Sequence, residues 1–390
     1  MEADKKNKTE SAALSVYDQT TKNKVSNLIE LNIDFDLKKF GIVSIPPTEM
    51  LDHINRLSEQ GKETQESKGL FIVKTANRWL EDAKNRPIPL MLFSEFWFES
   101  EICILFAESG VGKSILSVQI GNSISKGQQI NGFKLEAKKQ KVLYFDFELN
   151  DKMFEKRYSI KYQNHYIFNE NFFRVEINPE KADYEENGFK TFEQYLNHSL
   201  EQAIIETGAK VLIIDNITYL KDETEKAKDA LPLMKHLKAL KNKYGLSILA
   251  LAHTPKRDMS KQISRNDLSG SKMLYNFCDS VFTIGESYLD KDIRYIKQMK
   301  PRNTELLYDT ENVILCQIEK PINFLQFKFM GFGSEREHLK QITENDKKQR
   351  IAEALELKKQ GISNSEIARR YGVSEGAIRK WFKKKNDDKE

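Results

Sequence analysis

The stretch Ala107-Glu108-Ser109-Gly110-Val111-Gly112-Lys113-Ser114 lies between an apolar run (Ile102 to Ala107) and an amphipathic, helix-forming segment (Ile115 to Ile124). Strand, loop and helix in that order can hold a nucleoside triphosphate. Gly110 and Gly112 give the backbone the freedom to fold around anionic oxygens. Lys113 meets the β- and γ-phosphates, Ser114 ligates Mg²⁺, and the amino end of the following helix presents its positive dipole to the phosphates. The candidate ATP-binding residues are therefore Glu108, Ser109, Gly110, Val111, Gly112, Lys113, Ser114 and Ile115. Ala107 replaces the usual first glycine, which is tolerable if that residue keeps extended dihedrals.

Two further acids suit the same site. Val211-Leu212-Ile213-Ile214-Asp215 is an apolar run ending in a carboxylate, which places Asp215 at the carboxyl edge of a buried strand, where ligands bind in open α/β sheets. There it can hold the Mg²⁺ shell together with Ser114. Val142 to Glu148 offers the group that orients an attacking water. Glu148 is the candidate catalytic carboxylate, on the same side of the strand as Asp146 if the strand persists. Asp146 reads equally as a second polar residue of the site or as a strand-end charge.

These residues need a scaffold, and the chain supplies one. At 390 residues it accommodates one large domain and a small one. No apolar run approaches the roughly 20 residues of a bilayer span, and Met1 to Ser15 lacks the apolar stretch of a secretion signal, so a cytoplasmic protein without membrane contact is expected. Cys103, Cys278 and Cys316 lie in apolar segments without metal-ligand spacing and read as buried free thiols. The net charge of +4 hides an asymmetry: residues 346–390 carry 13 Lys/Arg against 8 Asp/Glu. A basic tail attracts polyanions, so DNA is the leading partner.

Residues 1–65 read as a flexible arm (to about residue 33) and an amino-terminal segment with a break at Pro46-Pro47 and a short helix over Thr48 to Leu57. Residues 66–333 read as the ATPase domain and 334–390 as a linker with a helical domain. Leu70 to Lys84 is an amphipathic helix, with Thr75 as an alternative start. Strands are expected at Val142 to Phe147, Val211 to Asp215, Ser247 to Ala252, Ser280 to Ile284 and Tyr295 to Met299, and closing strands within Ile314 to Phe332. Helices are expected at Asp151 to Tyr162, Thr191 to Thr207 and Asp229 to Tyr244. The alternation gives an α/β fold around a mainly parallel sheet.

In its order of parts the chain resembles the RecA-like P-loop ATPases (AAA family ATPases), specifically the hexameric-helicase branch with RepA-type and DnaB-type motors. The resemblance rests on Gly110 to Ser114, Leu143-Tyr144 with Glu148, Ile213-Ile214-Asp215, and Leu251-Ala252-His253, and covers about residues 70–333. It implies that Glu148 activates water and that His253 senses the γ-phosphate. It also implies a ring of identical subunits, with six the expected number. A mobile basic loop bearing Lys256, Arg257, Lys261 and Arg265 would contact DNA in the central channel, followed by the polar turn Asn266 to Ser271. In this resemblance Lys300 and Arg302 reach a neighbouring subunit's nucleotide, Arg302 as the finger; Pro301 between them departs from the family pattern. Asn216 stands where some relatives have a second acid.

In the tail, Ser363-Asn364-Ser365-Glu366 has capping-box spacing ahead of Ile367, Ala368 and Tyr371. Gly372-Val373-Ser374 makes a turn, and Ile378, Trp381 and Phe382 anchor another helix. With Ile351 to Lys359 this makes three helices, and it resembles the helix-turn-helix of resolvase- and transposase-type domains. That resemblance places Glu375, Gly376, Arg379 and Lys380 toward the major groove and Arg369, Arg370, Lys383 and Lys384 at phosphates. The expected function is an ATP-driven motor, helicase or replication protein of a plasmid, phage or mobile element. The alternative is an ATP-switched ATPase that assembles a transposase, recombinase or initiator on DNA without unwinding. Either reading leaves room for a replication or transposition partner protein.

Overall fold

A computed structural model of the protein describes residues 71–220, 230–268, 272–341, 343–371 and 373–387. The expected arm, the Pro46-Pro47 break, the helix over Thr48 to Leu57, the boundary at residue 65, Ser269 to Ser271 and Gly372 lie outside the described residues. The chain divides after Arg86 into two units. In the first, α1 (Ala76–Lys84) begins where the Thr75 hydroxyl accepts from the Arg78 amide at 3.2 Å, so the start is at Thr75 and not Leu70.

The second unit opens with a short hairpin, β1 (Met91–Phe93) and β2 (Trp97–Phe98), ahead of β3 (Ile102–Ala107) and α2 (Lys113–Lys126). Next come β4 (Val142–Asp146), α3 (Asp151–Arg157), a second hairpin of β5 (Ser159–Ile160) and β6 (Asn164–His165), then β7 (Phe172–Val175) and α4 (Phe192–Thr207). They are followed by β8 (Val211–Asp215), α5 (Ala230–Tyr244), β9 (Ser247–His253), α6 (Lys272–Phe277) and β10 (Ser280–Glu286). Three strands close the sheet: β11 (Ile293–Lys300), β12 (Val313–Glu319) and β13 (Gln326–Gly333).

Nine strands form one sheet in the order β13-β12-β11-β10-β3-β9-β8-β4-β7. From β10 to β7 every pair is parallel, and the three closing strands are antiparallel. The chain leaves β3 and crosses β9 and β8 to reach β4, which makes the end of β3 a topological switch point where a crevice opens at the carboxyl edge. All six residues of β3 are buried because both sheet faces are covered. Cys103, Leu105 and Ala107 enter one core with Leu116, Val118, Ile120 and Ile124 of α2. Ile102, Ile104 and Phe106 enter the other with Leu200 and Ile204 of α4 and Leu237 and Leu240 of α5. That alternation is the two-residue period of a strand.

Four expectations shift. The helix starting at Asp151 stops at Arg157, where the hairpin of β5 and β6 takes over. β7 at Phe172 is half-buried throughout and carries no alternation that marks a strand in the sequence. Helix α2 is buried nearly all round instead of amphipathic, because β13 covers its outer side: the Gln119 amide pairs in both directions with the Phe327 backbone, at 3.0 and 2.9 Å. The ATPase body also runs past residue 333. Glu335, fully buried, forms an ion pair with Lys297 of β11 at 2.5 Å and accepts from the Ile263 amide at 2.6 Å. All three cysteines are buried free thiols, as expected.

The last three helices, α7 (Glu344–Lys359), α8 (Asn364–Tyr371) and α9 (Glu375–Asp387), share a small core of Ala354, Ile367, Ala368 and Ile378. Trp381 and Phe382 pack against it. The Ser363 hydroxyl caps α8 through the Glu366 amide, and the Ser374 hydroxyl caps α9 through the Ala377 amide, each at 3.2 Å.

Candidate nucleotide site and DNA-facing surface

Between β3 and α2 the backbone turns through Gly110 (φ 79°) and Gly112 (φ 115°). A Cβ at Gly112 would also sit 2.8 Å from the Phe327 ring, so glycine there is required twice over. Ala107 is the last residue of β3 and keeps the extended conformation its substitution for glycine demands. From β11, Arg294 donates Nε to the Val111 carbonyl at 3.0 Å and steadies the loop from beneath.

Lys113 is buried at the head of α2. Its ammonium donates to the carbonyls of Ala107 and Glu108, both at 3.0 Å, and lies 3.3 Å from Nδ1 of His253. Three contacts occupy all three of its protons. Burial pulls its pKa below the usual lysine value, against the opposing pull of Asp215 and Glu148.

Parallel pairing sets Asp215 at the end of β8 beside Asp146 at the end of β4. The Asp215 carboxylate is buried. One oxygen, Oδ2, accepts from the Tyr144 hydroxyl at 2.7 Å, and Oδ1 has no hydrogen-bond partner. Burial pushes its pKa up to about 6, with the Ser114 and Tyr144 hydroxyls opposing and the charges of Glu148 and Asp146 adding to the rise. A buried carboxylate oxygen left unpaired, next to a hydroxyl on the first turn of the phosphate helix, is what a hard divalent cation needs from a protein. The two groups fit Mg²⁺, with Ser114 and Asp215 as its protein side. No group of three or more His, Cys, Asp or Glu among the described residues could hold a metal alone, so the triphosphate and water would complete the shell.

Glu148 lies just beyond β4, which ends at Asp146, so the two acids do not alternate along one strand as expected. Asp146 Oδ1 instead accepts from the amides of Glu148 and Leu149 at 3.3 and 3.0 Å and builds the turn that presents Glu148. Arg174 of β7 holds that turn: it donates to Asp146 at 2.9 Å, to Asp151 at 2.7 Å and to the Leu149 carbonyl at 2.6 Å. Asp146 is therefore a structural acid. Glu148 Oε1 meets His253 Nε2 at 2.8 Å and the Asn216 amide. Burial raises the pKa of Glu148, but the hydrogen bonds from His253 and Asn216 outweigh it and the net shift is downward. Since the Lys113 ammonium can only donate, His253 Nδ1 accepts and Nε2–H donates to Glu148. The carboxyl edge thus joins Lys113, His253, Glu148 and Asn216 in one hydrogen-bonded path. Arg174 and Arg294 carry no motif of their own; Tyr144, within Leu143-Tyr144, and Asn216, next to Asp215, have only a positional hint.

The structure does not bring Lys300 and Arg302 to this edge. β11 runs antiparallel to β10 with Lys300 opposite Val281, at the amino edge of the parallel strands. There Lys300 donates to the carbonyls of Tyr275 and Cys278 at 2.7 and 2.8 Å, and Arg302 pairs with Asp279 at 2.7 Å. The expected mobile basic loop is also tied down. Arg257 donates to the Lys261 carbonyl at 2.7 Å, and Lys261 reaches the Tyr371 carbonyl at 2.7 Å; Lys256 and Arg265 are exposed. Ile263, buried between the two, anchors the segment.

In the three-helix domain, Gly376, Arg379, Lys380 and Lys383 are exposed and Glu375 half-buried. Arg379 pairs with Glu375 at 2.6 Å, one turn back, and Arg369 with Glu366 at 2.8 Å; Arg370 lies 3.7 Å from Glu366. The side chain of Lys384 lies outside the described ones.

A family model described as an AAA domain matches residues 72–259, and one described as a homeodomain-like domain matches residues 345–388. The chain carries a RecA-like P-loop ATPase domain and a homeodomain-like helix-turn-helix domain at its carboxyl-terminal end. Among solved structures it is similar to the crystal structure of flagellar accessory protein FlaH from Methanocaldococcus jannaschii, at 14% identity over 66% of this chain and 98% of that one, with a TM-score of 0.39. No curated protein sequence matches the chain. No helix among the described residues is long and apolar enough to cross a membrane.

Proposed function

We propose that this protein is a DNA-acting ATPase that hydrolyses ATP at the carboxyl edge of its sheet and engages DNA through α9. The observation that carries the reading is the path from Lys113 through His253 to Glu148 beside the unpaired Asp215 oxygen. Lys113 and the amides of Glu108 to Ile115 bind the phosphates. Glu148, held as a carboxylate by His253 and Asn216, accepts a proton from the water that attacks the γ-phosphorus, and the bond to the β–γ bridging oxygen breaks with ADP as leaving group. Magnesium, when bound, neutralises phosphate charge. His253 loses its Lys113 contact as the γ-phosphate arrives and so reports it. Lys300 and Arg302, far from their own phosphate loop, suit a role in a neighbouring copy of a ring, expected to be hexameric.

The finer reading is a motor, helicase or replication protein of a plasmid, phage or mobile element, acting in the cytoplasm. Purified protein should show Mg²⁺-dependent, DNA-stimulated ATP hydrolysis that Lys113→Ala abolishes. A wild-type rate in that variant would sink the site assignment. One observation favours the second reading, an ATP switch that assembles a transposase, recombinase or initiator without unwinding. The segment expected to line a DNA channel is engaged with the helix-turn-helix domain, through Lys261 and through the Asp258–Arg350 pair at 3.0 Å. Strand displacement on forked DNA decides between the two.

A further inference from the structure

The residues between His253 and the turn Arg265–Asp267 join the nucleotide site to the three-helix domain. At the near end the Arg257 amide donates to Glu108 Oε1 at 2.7 Å, gripping the phosphate loop itself, and the Arg257 guanidinium folds the segment back onto the Lys261 carbonyl. At the far end Asp258 pairs with Arg350 of α7 at 3.0 Å. Arg350 also reaches Ser260 Oγ at 3.4 Å, and Lys261 Nζ donates to the carbonyl of Tyr371, the last residue of α8. The Lys340 amide donates to the Met259 carbonyl at 2.9 Å, which ties down the approach to α7. Four consecutive residues, 258–261, thus hold the first two helices of the domain and the chain leading to them. Arg379 and Lys380 on α9 stay exposed, so the grip fixes where the DNA-facing helix sits without covering it.

We infer that residues 254–264 are a clasp that holds the helix-turn-helix domain and loosens when a nucleoside triphosphate binds. The inference rests on the ATPase reading and adds the regulation of that site. Lys113 spends its three protons on Ala107, Glu108 and His253. Two of these partners matter here: Glu108, held by Lys113 through its main-chain carbonyl, carries the near end of the clasp on its carboxylate, and His253 immediately precedes it. A triphosphate that draws Lys113 away frees the Glu108 carbonyl and His253 Nδ1 together, and the loop and strand end that carry the clasp lose their shared tie. The far contacts are suited to letting go, because the Asp258 and Arg350 side chains keep 28% and 21% of their exposure and such pairs hold only weakly. By linkage, whatever opposes triphosphate binding is opposed by it to the same degree.

The test is the affinity of a fluorescent, non-hydrolysable ATP analogue with Mg²⁺ for the full chain and for Asp258→Asn, Arg350→Ala and the double variant, together with amide exchange. Each single change should tighten binding about five-fold, and the double variant should gain nothing further, because both remove the same contact. In the wild-type chain, saturating analogue should speed exchange of residues 254–264 and of the 350–371 amides. Affinities within two-fold of wild type, or exchange unmoved at saturation, would overturn the clasp while leaving the ATPase reading intact. A wild-type chain that binds no analogue would overturn both.

Discussion

The carboxyl edge of the sheet and the exposed face of α9 both read as ligand surfaces, but they are built in opposite ways. At the sheet edge Lys113, Asp215 and Asn216 are buried and His253 half-buried, and their partners come from distant sequence: Lys113 meets His253 140 positions away, and Asn216 meets Glu148 68 positions away. On α8 and α9 the basic groups are exposed and pair with neighbours one turn off, Arg369 with Glu366 and Arg379 with Glu375. The first site owes its geometry to the whole sheet, the second to one local helix and a core of four buried residues. Changes at the first should therefore be all-or-none, and changes at the second graded and salt-sensitive.

The sharpest test of the first half is Glu148→Gln, which keeps shape and most hydrogen bonding but cannot take a proton. Turnover should fall about 10²- to 10⁴-fold with nucleotide affinity little changed. A fall in affinity with turnover preserved would make Glu148 a binding group. Next in size is Ile378→Ala. Emptying one of the four buried positions of the small domain costs about 2–5 kcal/mol, enough to unfold that domain alone. Circular dichroism should lose helix and DNA binding should vanish, while ATP hydrolysis without DNA persists. Loss of that hydrolysis as well would mean the two regions do not stand apart. Smaller still, Arg379→Ala should weaken binding to duplex by roughly ten-fold and flatten the salt dependence by about one counterion if it meets a phosphate. An unchanged salt slope with altered sequence preference would put it on a base edge instead.

The same contrast explains what was legible in the sequence. Residues with local signatures are legible: the glycines and Lys113 by spacing, Asp215 by the apolar run before it, and the Ser363 cap by its offset from the helix it starts. Residues that matter through long-range pairing are not. Arg174 lies on a four-residue strand without alternation, and its role exists only because β7 lies beside β4. Asp146 reads two ways from the sequence because nothing there shows that β4 stops and turns at it. Arg257 and Lys261 looked like a free basic loop because their partners, Glu108 and the Tyr371 carbonyl, are remote in sequence.

The smallest predicted effect tests what burial of the Asp215 carboxylate costs when magnesium is withheld. Asp215 has its pKa raised from 3.8 to about 6 by burial, so between those values the folded protein binds a proton that the unfolded chain has released. The sign follows: stability falls as pH rises from about 4 through about 6, then levels off. In EDTA, Asp215→Asn should be more stable than wild type at pH 7.5, on the order of 1 kcal/mol, and the advantage should shrink toward pH 4.5. The Asn oxygen can still accept from Tyr144, while its NH2 takes the place of Oδ1. Urea unfolding at the two pH values measures it. Adding Mg²⁺ and nucleotide should reverse the order at pH 7.5, because only the carboxylate gains a cation. If the Asn variant is less stable than wild type at both pH values in EDTA, the buried charge is not a burden that magnesium relieves, and the contrast between a poised sheet edge and a merely charged helix face fails.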